Sequence, residues 1–151
     1  MTSTPTGHRI VVGVDGSSSS SDALDWAARQ AELTDSDIDV VIAWEWPTVY
    51  GSPFAFPSDY DPIADAKRVL DSVIASAAAA HPTVEFQPIV KEGHPAPALV
   101  AASKGADLLV VGSRGHGEFT GMLLGSVSEH CVTNAHCPVL VLRNEEVANA
   151  E

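Results

Sequence analysis

The sequence predicts an α/β domain with a doubly wound parallel sheet and helices on both faces. Two observations carry this prediction. Short apolar segments rich in β-branched residues and leucine recur along the chain, which is typical of strands buried on both faces. Helical segments lie between them, so the predicted order of elements is βαβαβαβαβ. The length of 151 residues suits a single domain.

Five segments are predicted to be strands. One of them, Val84–Val90, has an alternating pattern and contains Pro88. Because proline lacks the N–H group that a ladder needs, this segment is predicted to lie at an edge of the sheet. The other four are almost continuously aliphatic and end at a turn signal: Arg9–Val14, Asp39–Trp44, Asp107–Gly112 and Pro138–Leu142.

Four segments are predicted to be helices: Asp22–Leu33, Ile63–Ala80, Pro95–Lys104 and Ser126–Ala135. The serines at 17–21 offer caps for the first helix, and His81-Pro82 ends the second. Pro95 suits the first turn of the third helix and Gly105 its C-terminal cap. Ser126 and Glu129 have the spacing of a capping box, which predicts that Ser126 caps the fourth helix.

The composition argues against several classes of partner. Eight basic and 20 acidic residues give a net charge of −12, so we expect no nucleic acid and no membrane partner. No apolar run reaches the roughly 18 residues of a membrane span, and Met1–His8 lacks the order of a signal peptide. We therefore expect a cytoplasmic protein in which Cys131 and Cys137 are free, buried, inert thiols.

Two connections are unusually long. Glu45–Asp61 is rich in proline and aromatic residues and is either a lid or a packed surface loop. Ser113–Leu124 follows the strand that ends at Gly112 and contains glycines at 115, 117 and 121. Glycine-rich loops after a strand of a parallel sheet lie at its carboxyl edge, where ligands bind.

The stretch Gly112–Glu129 has the parts of a phosphate-binding site. Glycines let backbone N–H groups approach an anion, and a helix start adds unpaired donors. Ser126 and Ser128 add hydroxyl groups, while Arg114 either contacts phosphate, reaches a partner subunit or forms an exposed salt bridge. The Walker A lysine and the dinucleotide fingerprint are both absent, since the turn after the first strand reads Asp15-Gly16-Ser17.

The sequence offers no catalytic constellation. His116 lies between two glycines, with no carboxylate at a predictable distance to orient it. His94, His130 and His136 share no metal-site spacing with thiols or carboxylates. Because no nucleophile has a neighbouring base, we expect no dedicated hydrolytic machinery.

Three stretches together resemble the nucleotide-binding branch of the universal stress protein family: Ile10–Ser17, Gly105–Gly117 and Leu123–Arg143. They include the pattern Gly112-x2-Gly115-x9-Gly125-Ser126. The resemblance implies a five-stranded sheet of order 3-2-1-4-5. It also implies a family domain over residues 8–143. The polar start at 1–7 and the acidic, alanine-rich tail at 144–151 are expected to be flexible.

The resemblance implies a site for ATP with Mg²⁺. Asp15 would lie near the ribose or the metal, and the main chain of Ala43 would contact adenine. The Mg²⁺ would be held through the nucleotide phosphates, near Asp15, with no other protein ligand implied. The implied phosphate side of the site comprises Gly112, Arg114, Gly115, Gly125, Ser126, Val127 and Ser128.

The expected function is that of a cytoplasmic signalling homodimer whose conformation responds to ATP and is read by an unknown protein partner. The family implies pairing of subunits through the last strand, Pro138–Leu142, which would cover an apolar sheet edge. We expect slow ATP hydrolysis at most. The alternatives are a cyclic-AMP sensor of the same fold, a ligand-free dimeric scaffold, and an ATP-dependent adenylating enzyme, whose usual Ser-Gly-Gly-x-Asp-Ser loop is missing here.

Overall fold

The computed structural model describes residues 7–46, 61–113 and 124–143. Within them, five parallel strands form one sheet of order β3-β2-β1-β4-β5. The strands are β1 (Arg9–Gly13), β2 (Asp37–Trp44), β3 (Phe86–Glu92), β4 (Leu108–Gly112) and β5 (Val139–Leu142). The helices are α1 (Ser18–Thr34), α2 (Pro62–Ala80), α3 (Pro95–Ala102) and α4 (Ser126–Asn134).

The sheet confirms the predicted fold class and the strand order that the family resemblance implies. Val12 in the central strand lies opposite Val40 of β2 and Val110 of β4. β3 is an edge strand, as Pro88 predicts. It begins two residues later than predicted, because a turn in which the Val84 N–H donates to the His81 carbonyl (3.2 Å) precedes it.

Two apolar layers explain why the strands are almost continuously aliphatic. Val12 belongs to the layer beneath α1 and α2, where Leu24 and Leu70 are also buried. Val11, its neighbour in sequence, belongs to the layer beneath α3 and α4, with Leu99. Successive side chains of a strand point to opposite faces, so a strand covered on both faces needs apolar residues at every position.

Most helix ends follow their sequence signals. Ser17 caps α1, and its hydroxyl accepts a hydrogen bond from the Ser20 N–H at 3.2 Å. The helix therefore begins four residues before the predicted Asp22. Asp61 caps α2 by accepting from two backbone N–H groups, and His81 ends the helix as predicted.

Two predicted caps are wrong. The C-cap of α3 is Ser103 and not Gly105, because the helix ends at Ala102; Gly105 follows in a left-handed conformation, with φ of 77°. The N-cap of α4 is Gly125, so Ser126 already has helical backbone geometry and its hydroxyl cannot close the predicted capping box.

The described residues contain no helix that is both long and apolar enough to cross a membrane. The predicted flexible termini lie outside the described residues except for Gly7, and so does most of the long connection, from 47 to 60.

Candidate functional site

The carboxyl edge of the sheet brings together the ends of β1, β2 and β4. The four helices within the described residues all begin at this edge, because each one follows a parallel strand and runs back across the sheet. The predicted site residues that the structure describes all lie at this edge or in the first turn of α4. Arg114 and Gly115, with His116 and the rest of 114–123, lie outside the described residues.

The first turn of α4 presents three backbone N–H groups. Gly125 is extended, with φ of −72° and ψ of 166°, and the Glu129 N–H donates to the Gly125 carbonyl at 3.0 Å. That bond opens the helical series, so the amides of Ser126, Val127 and Ser128 have no acceptor inside the helix. Within the described residues no side chain caps this end. Such a helix start can bind an anion, and it explains how apolar Val127 can belong to a phosphate site.

Ser113 holds the two ends of the glycine-rich segment together. Its carbonyl accepts hydrogen bonds from the Gly125 N–H at 2.7 Å and from the Ser128 hydroxyl at 3.4 Å. Its own N–H donates to the Leu142 carbonyl at 2.9 Å, which fixes Ser113 to β5. The residues on either side of 114–123 are therefore joined to each other and to β5, with Ser113 itself buried.

The serines of the α4 start differ in exposure. Ser126 is exposed, whereas Ser128 is 2% exposed and its hydroxyl also lies 3.1 Å from the Gly125 carbonyl. The Ser128 side chain therefore supports the turn from inside, and the Ser126 hydroxyl faces outward.

Asp15 lies just after β1 and is exposed. Its carboxylate accepts from the N–H of Ser17 at 2.9 Å and from the Ser17 hydroxyl at 2.5 Å. Gly16 between them has φ of 86°, a conformation that glycine adopts at little cost. Asp15 therefore orients the residue that caps α1, which places a carboxylate beside the helix start.

Ala43 lies near the end of β2. The direction of its backbone N–H and C=O groups follows from their alternation along the strand. The Val14 N–H donates to the Val41 carbonyl at 2.9 Å, so the backbone of Val41 faces β1. The backbone of Ala43, two residues further, faces the same side at a level beyond Gly13, where β1 ends. A planar base could meet these backbone groups there.

Beyond β2 lies a pair of contacts that the sequence did not reveal. The Trp44 and Trp46 rings meet edge to face, with centroids 5.9 Å apart, and Trp46 is 53% exposed. The Glu45 carboxylate lies 3.1 Å from His94 Nδ1. The signal that could have found the first pair is the Trp-Glu-Trp alternation at a strand end, which puts both rings on one side.

The thiols lie away from this edge. Both cysteines are free, as predicted, and Cys131 is fully buried. Burial raises the pKa of the Cys131 thiol to about 11, which disfavours the reactive thiolate. Cys137 is only half-buried, and burial raises its pKa as well. Among the described residues, no group of three or more His, Cys, Asp or Glu side chains is placed to hold a metal ion.

Comparison with known proteins agrees with this architecture. The family model described as "Universal stress protein family" matches residues 7–143. Universal stress protein Rv2623 of Mycobacterium tuberculosis is 37% identical over 146 residues, covering 91% of this chain and 48% of that protein. The chain thus spans about half the length of the curated relatives it matches.

Solved structures share the fold. A universal stress protein in complex with cAMP has a TM-score of 0.68 and 30% identity, covering 90% of this chain and 96% of that one. An Arabidopsis thaliana universal stress protein family protein with AMP bound has a TM-score of 0.65 and 22% identity, covering 95% and 96%. From the family match over nearly its whole length and the shared fold, this chain belongs to the universal stress protein family.

Proposed function

We propose that this protein binds an adenine nucleotide at the carboxyl edge of its sheet, with the phosphates on the first turn of α4. The observation that carries the proposal is the start of α4, which has no side-chain cap within the described residues. The amides of Ser126, Val127 and Ser128 there have no acceptor within the helix. The 30%-identical universal stress protein solved with cAMP supports the choice of an adenine nucleotide.

Within that class we propose ATP with Mg²⁺. The support is the sequence pattern Gly112-x2-Gly115-x9-Gly125-Ser126, which resembles the ATP-binding branch of the family. Neutral backbone donors suit a chain that carries a net charge of −12. Asp15 and Glu129, at the starts of α1 and α4, add negative charge at the same edge. A Mg²⁺ ion on the phosphates would offset that repulsion, since it is bound through few carboxylates and the phosphates themselves.

The remaining roles follow from position. The backbone of Ala43 would contact adenine, Asp15 would lie near the ribose or Mg²⁺, and Arg114 and Gly115 would join the phosphate site from the segment 114–123. Cyclic AMP is the second candidate ligand, favoured by the cAMP complex of the 30%-identical relative. We propose no catalytic residue and expect slow ATP hydrolysis at most.

We further propose that the protein is a cytoplasmic signalling homodimer that pairs through β5 and presents a nucleotide-dependent surface to a protein partner. All four residues of β5 are apolar and only half-buried, and the strand lies at an edge of the sheet. Pairing with a second copy would cover this edge. Light scattering at micromolar concentration should give the mass of a dimer, and a monomer would refute this part of the proposal.

The first test identifies the ligand. The freshly purified protein is denatured, the supernatant is separated by anion exchange with mass detection, and the protein is titrated with ATP plus Mg²⁺ and with cyclic AMP by calorimetry. We expect ATP to co-purify or to bind at micromolar concentration. Tight binding of cyclic AMP alone would replace ATP with the second candidate, and binding of neither would refute the nucleotide site.

A charge variant then tests the place of binding. Ser126→Asp puts a carboxylate at the first position of α4. Its interaction with the helix dipole stabilises the folded protein by about 0.3–1 kcal/mol, but the carboxylate repels phosphate. We expect a protein at least as stable as the wild type that has lost at least about 1.4 kcal/mol, or tenfold, in ATP affinity. Ser72→Asp, on the exposed face of α2, is the matched control and should bind ATP normally. Unchanged affinity of Ser126→Asp would show that the phosphates lie elsewhere.

A further inference from the structure

We propose that Gly112 allows the first turn of α1 to pack closely against β4, with Ser19 as the positioning residue on the helix side of this contact. This contact would fix the separation between the two sides of the nucleotide site. The inference rests on the proposed function for its effect on affinity. It assigns Gly112 a role in packing where the family pattern suggests a phosphate contact.

The approach of α1 to β4 is too close for a side chain at position 112. A Cβ built on Gly112 would overlap the Ser19 hydroxyl oxygen. It would also lie 3.0 Å from the carbonyl oxygen and 3.1 Å from the carbonyl carbon of Ser19. Those two atoms belong to the helix backbone and cannot rotate aside, so an alanine at 112 must push the start of α1 away from the sheet.

Within the part of the chain that the structure describes, the Ser19 side chain is held at this contact by packing and not by a hydrogen bond. Its residue is 7% exposed, and within the described residues its Oγ has no hydrogen-bond partner. Ser20, the next residue, differs: its hydroxyl donates to the Ser17 carbonyl at 3.0 Å and accepts from the Asp15 N–H at 3.2 Å. The Ser19 side chain therefore contributes its small volume and its position against β4.

The contact joins the two sides of the proposed site. On one side, the first turn of α1 begins at Ser17, which Asp15 orients through two hydrogen bonds. On the other side, β4 continues from Gly112 into Ser113, whose carbonyl holds Gly125. A shift of α1 relative to β4 would move Asp15 away from the α4 start, so a ligand that spans both would bind less well.

Gly13 provides a matched control at the end of the neighbouring strand. A Cβ there would lie 2.6 Å from one methyl carbon of Leu99, 3.0 Å from the other and 3.3 Å from its Cγ. These atoms are the far end of a flexible side chain on α3. Gly13→Ala should therefore disturb α3 and leave the start of α1 in place.

The experiment compares wild type, Gly112→Ala, Ser19→Gly, the double variant and Gly13→Ala. Amide resonances of the isotope-labelled proteins report the positions of α1, β4 and α4 without any ligand, and calorimetry reports ATP affinity. We expect Gly112→Ala to shift the amides of Asp15, Ser17 and Ser113 and to weaken ATP binding at least about tenfold. Adding Ser19→Gly should return part of the shift and part of the affinity, because it removes the overlapping hydroxyl while the two backbone contacts remain.

Two outcomes would overturn the inference. One is a Gly112→Ala protein whose α1 amides do not move; the other is a double variant that recovers nothing, which would mean that the glycine is needed for another reason. Ser19→Gly alone should move the α1 amides less than Gly112→Ala does, because it removes volume at the contact and adds none. If the wild type binds neither ATP nor cyclic AMP, the proposed function fails. The amide shifts still decide whether the contact between Gly112 and Ser19 positions α1 on β4.

A reciprocal variant covers the case in which Gly112→Ala does not fold. Ser19→Val adds volume on the helix side of the same contact and leaves Gly112 of β4 unchanged. It should shift the same amides of Asp15, Ser17 and Ser113. A folded Ser19→Val protein with all three amides at their wild-type positions would equally overturn the inference.

Discussion

The two edges of the sheet are built from different interactions. At the amino edge, the Arg9 guanidinium bonds the Asp39 carboxylate at 2.8 Å and the carbonyls of Ala102 and Lys104 at 3.2 and 2.8 Å. At the carboxyl edge, backbone groups and a hydroxyl make the contacts around Ser113, and charged groups such as Asp15 and Glu45 are exposed. One edge is thus held by charges that are already paired, and the other presents donors that a ligand could use.

The direction of the helices explains this difference. In a parallel sheet each helix ends at the amino edge and begins at the carboxyl edge, so carbonyl groups collect at the first and N–H groups at the second. Arg9 meets the carbonyls of Ala102, the last residue of α3, and of Lys104 just beyond it, which is the favourable place for a cation. The α4 start has the opposite partial charge and no side-chain cap within the described residues. Stability and ligand binding are therefore expected to separate between the edges.

The largest expected effect is the loss of the Arg9 network. Arg9→Met removes the guanidinium and leaves Asp39, whose side chain is 14% exposed, without its charged partner. Breaking a largely buried pair costs about 3–5 kcal/mol, and the partial exposure of Arg9 reduces the expected loss of unfolding free energy to about 2–3 kcal/mol. Urea denaturation measures this loss, and calorimetry should find nucleotide affinity unchanged within about twofold.

An exposed ion pair is the control for this variant. Arg68 lies 2.9 Å from Asp65 on the surface of α2, with side chains 72% and 55% exposed. Arg68→Met should cost less than about 0.5 kcal/mol. Equal losses for Arg9→Met and Arg68→Met would show that the amino edge is no more dependent on its charges than the surface is.

The comparison of edges also shows what the sequence could predict. Continuous aliphatic runs such as Arg9–Val14 predict buried parallel strands, because only a strand covered on both faces needs apolar residues throughout. Pro88 placed β3 at an edge for an equally local reason. The strand order came from the family resemblance, since the chain's own periodicity does not say which strands are neighbours.

Contacts between residues far apart in sequence could not be predicted. Arg9 bonds groups 30, 93 and 95 residues away, and Gly112 meets Ser19 from the other half of the chain. Even the local capping box at Ser126 was wrong, because Gly125 is the N-cap of α4, and its N–H donates to the distant Ser113 carbonyl. The sequence therefore predicted which stretch of chain forms the candidate site. It did not predict the long-range contacts that hold the ends of that stretch in place.

The second-largest expected effect tests whether the stability of the amino-edge side of the protein depends on charge. At the end of α2, His81 lies between two carboxylates of α1, with Nε2 2.9 Å from Asp25 and Nδ1 2.9 Å from Glu32. Arg29 lies 3.5 Å from Asp25 and is a further charged neighbour in this group. Hydrogen bonds to Asp25 and then to Glu32 raise the pKa of His81 above its usual 6.5, against a smaller opposing effect of burial.

The raised pKa sets the sign of the pH dependence. Because the folded protein binds this proton more tightly than the unfolded chain, the stabilisation is complete below pH 6.5 and is lost as pH rises through the folded pKa of His81. Unfolding free energies measured from pH 6 to 9 should therefore fall for the wild type. His81→Gln should be about 1–2 kcal/mol less stable at pH 6, with a smaller difference at pH 9.

His130 is the control for the pH series, since it is exposed on α4. His130→Gln should leave the fall in stability with pH unchanged. A His81→Gln protein with the wild-type slope would place the titrating group elsewhere and remove His81 as the link between α1 and α2.

The smallest expected effect lies at the carboxyl edge and has the opposite sign. Ser19→Ala removes a buried hydroxyl that has no partner within the described residues, so it should leave the unfolding free energy unchanged or raise it by up to about 1 kcal/mol. Ser20→Ala is the matched control, because it loses two hydrogen bonds and should cost about 1 kcal/mol. Urea denaturation of both variants at constant pH compares them directly. If Ser19→Ala were the more destabilised, its hydroxyl would have a hydrogen-bond partner, and the start of α1 would be held by that bond and not by packing on Gly112 alone.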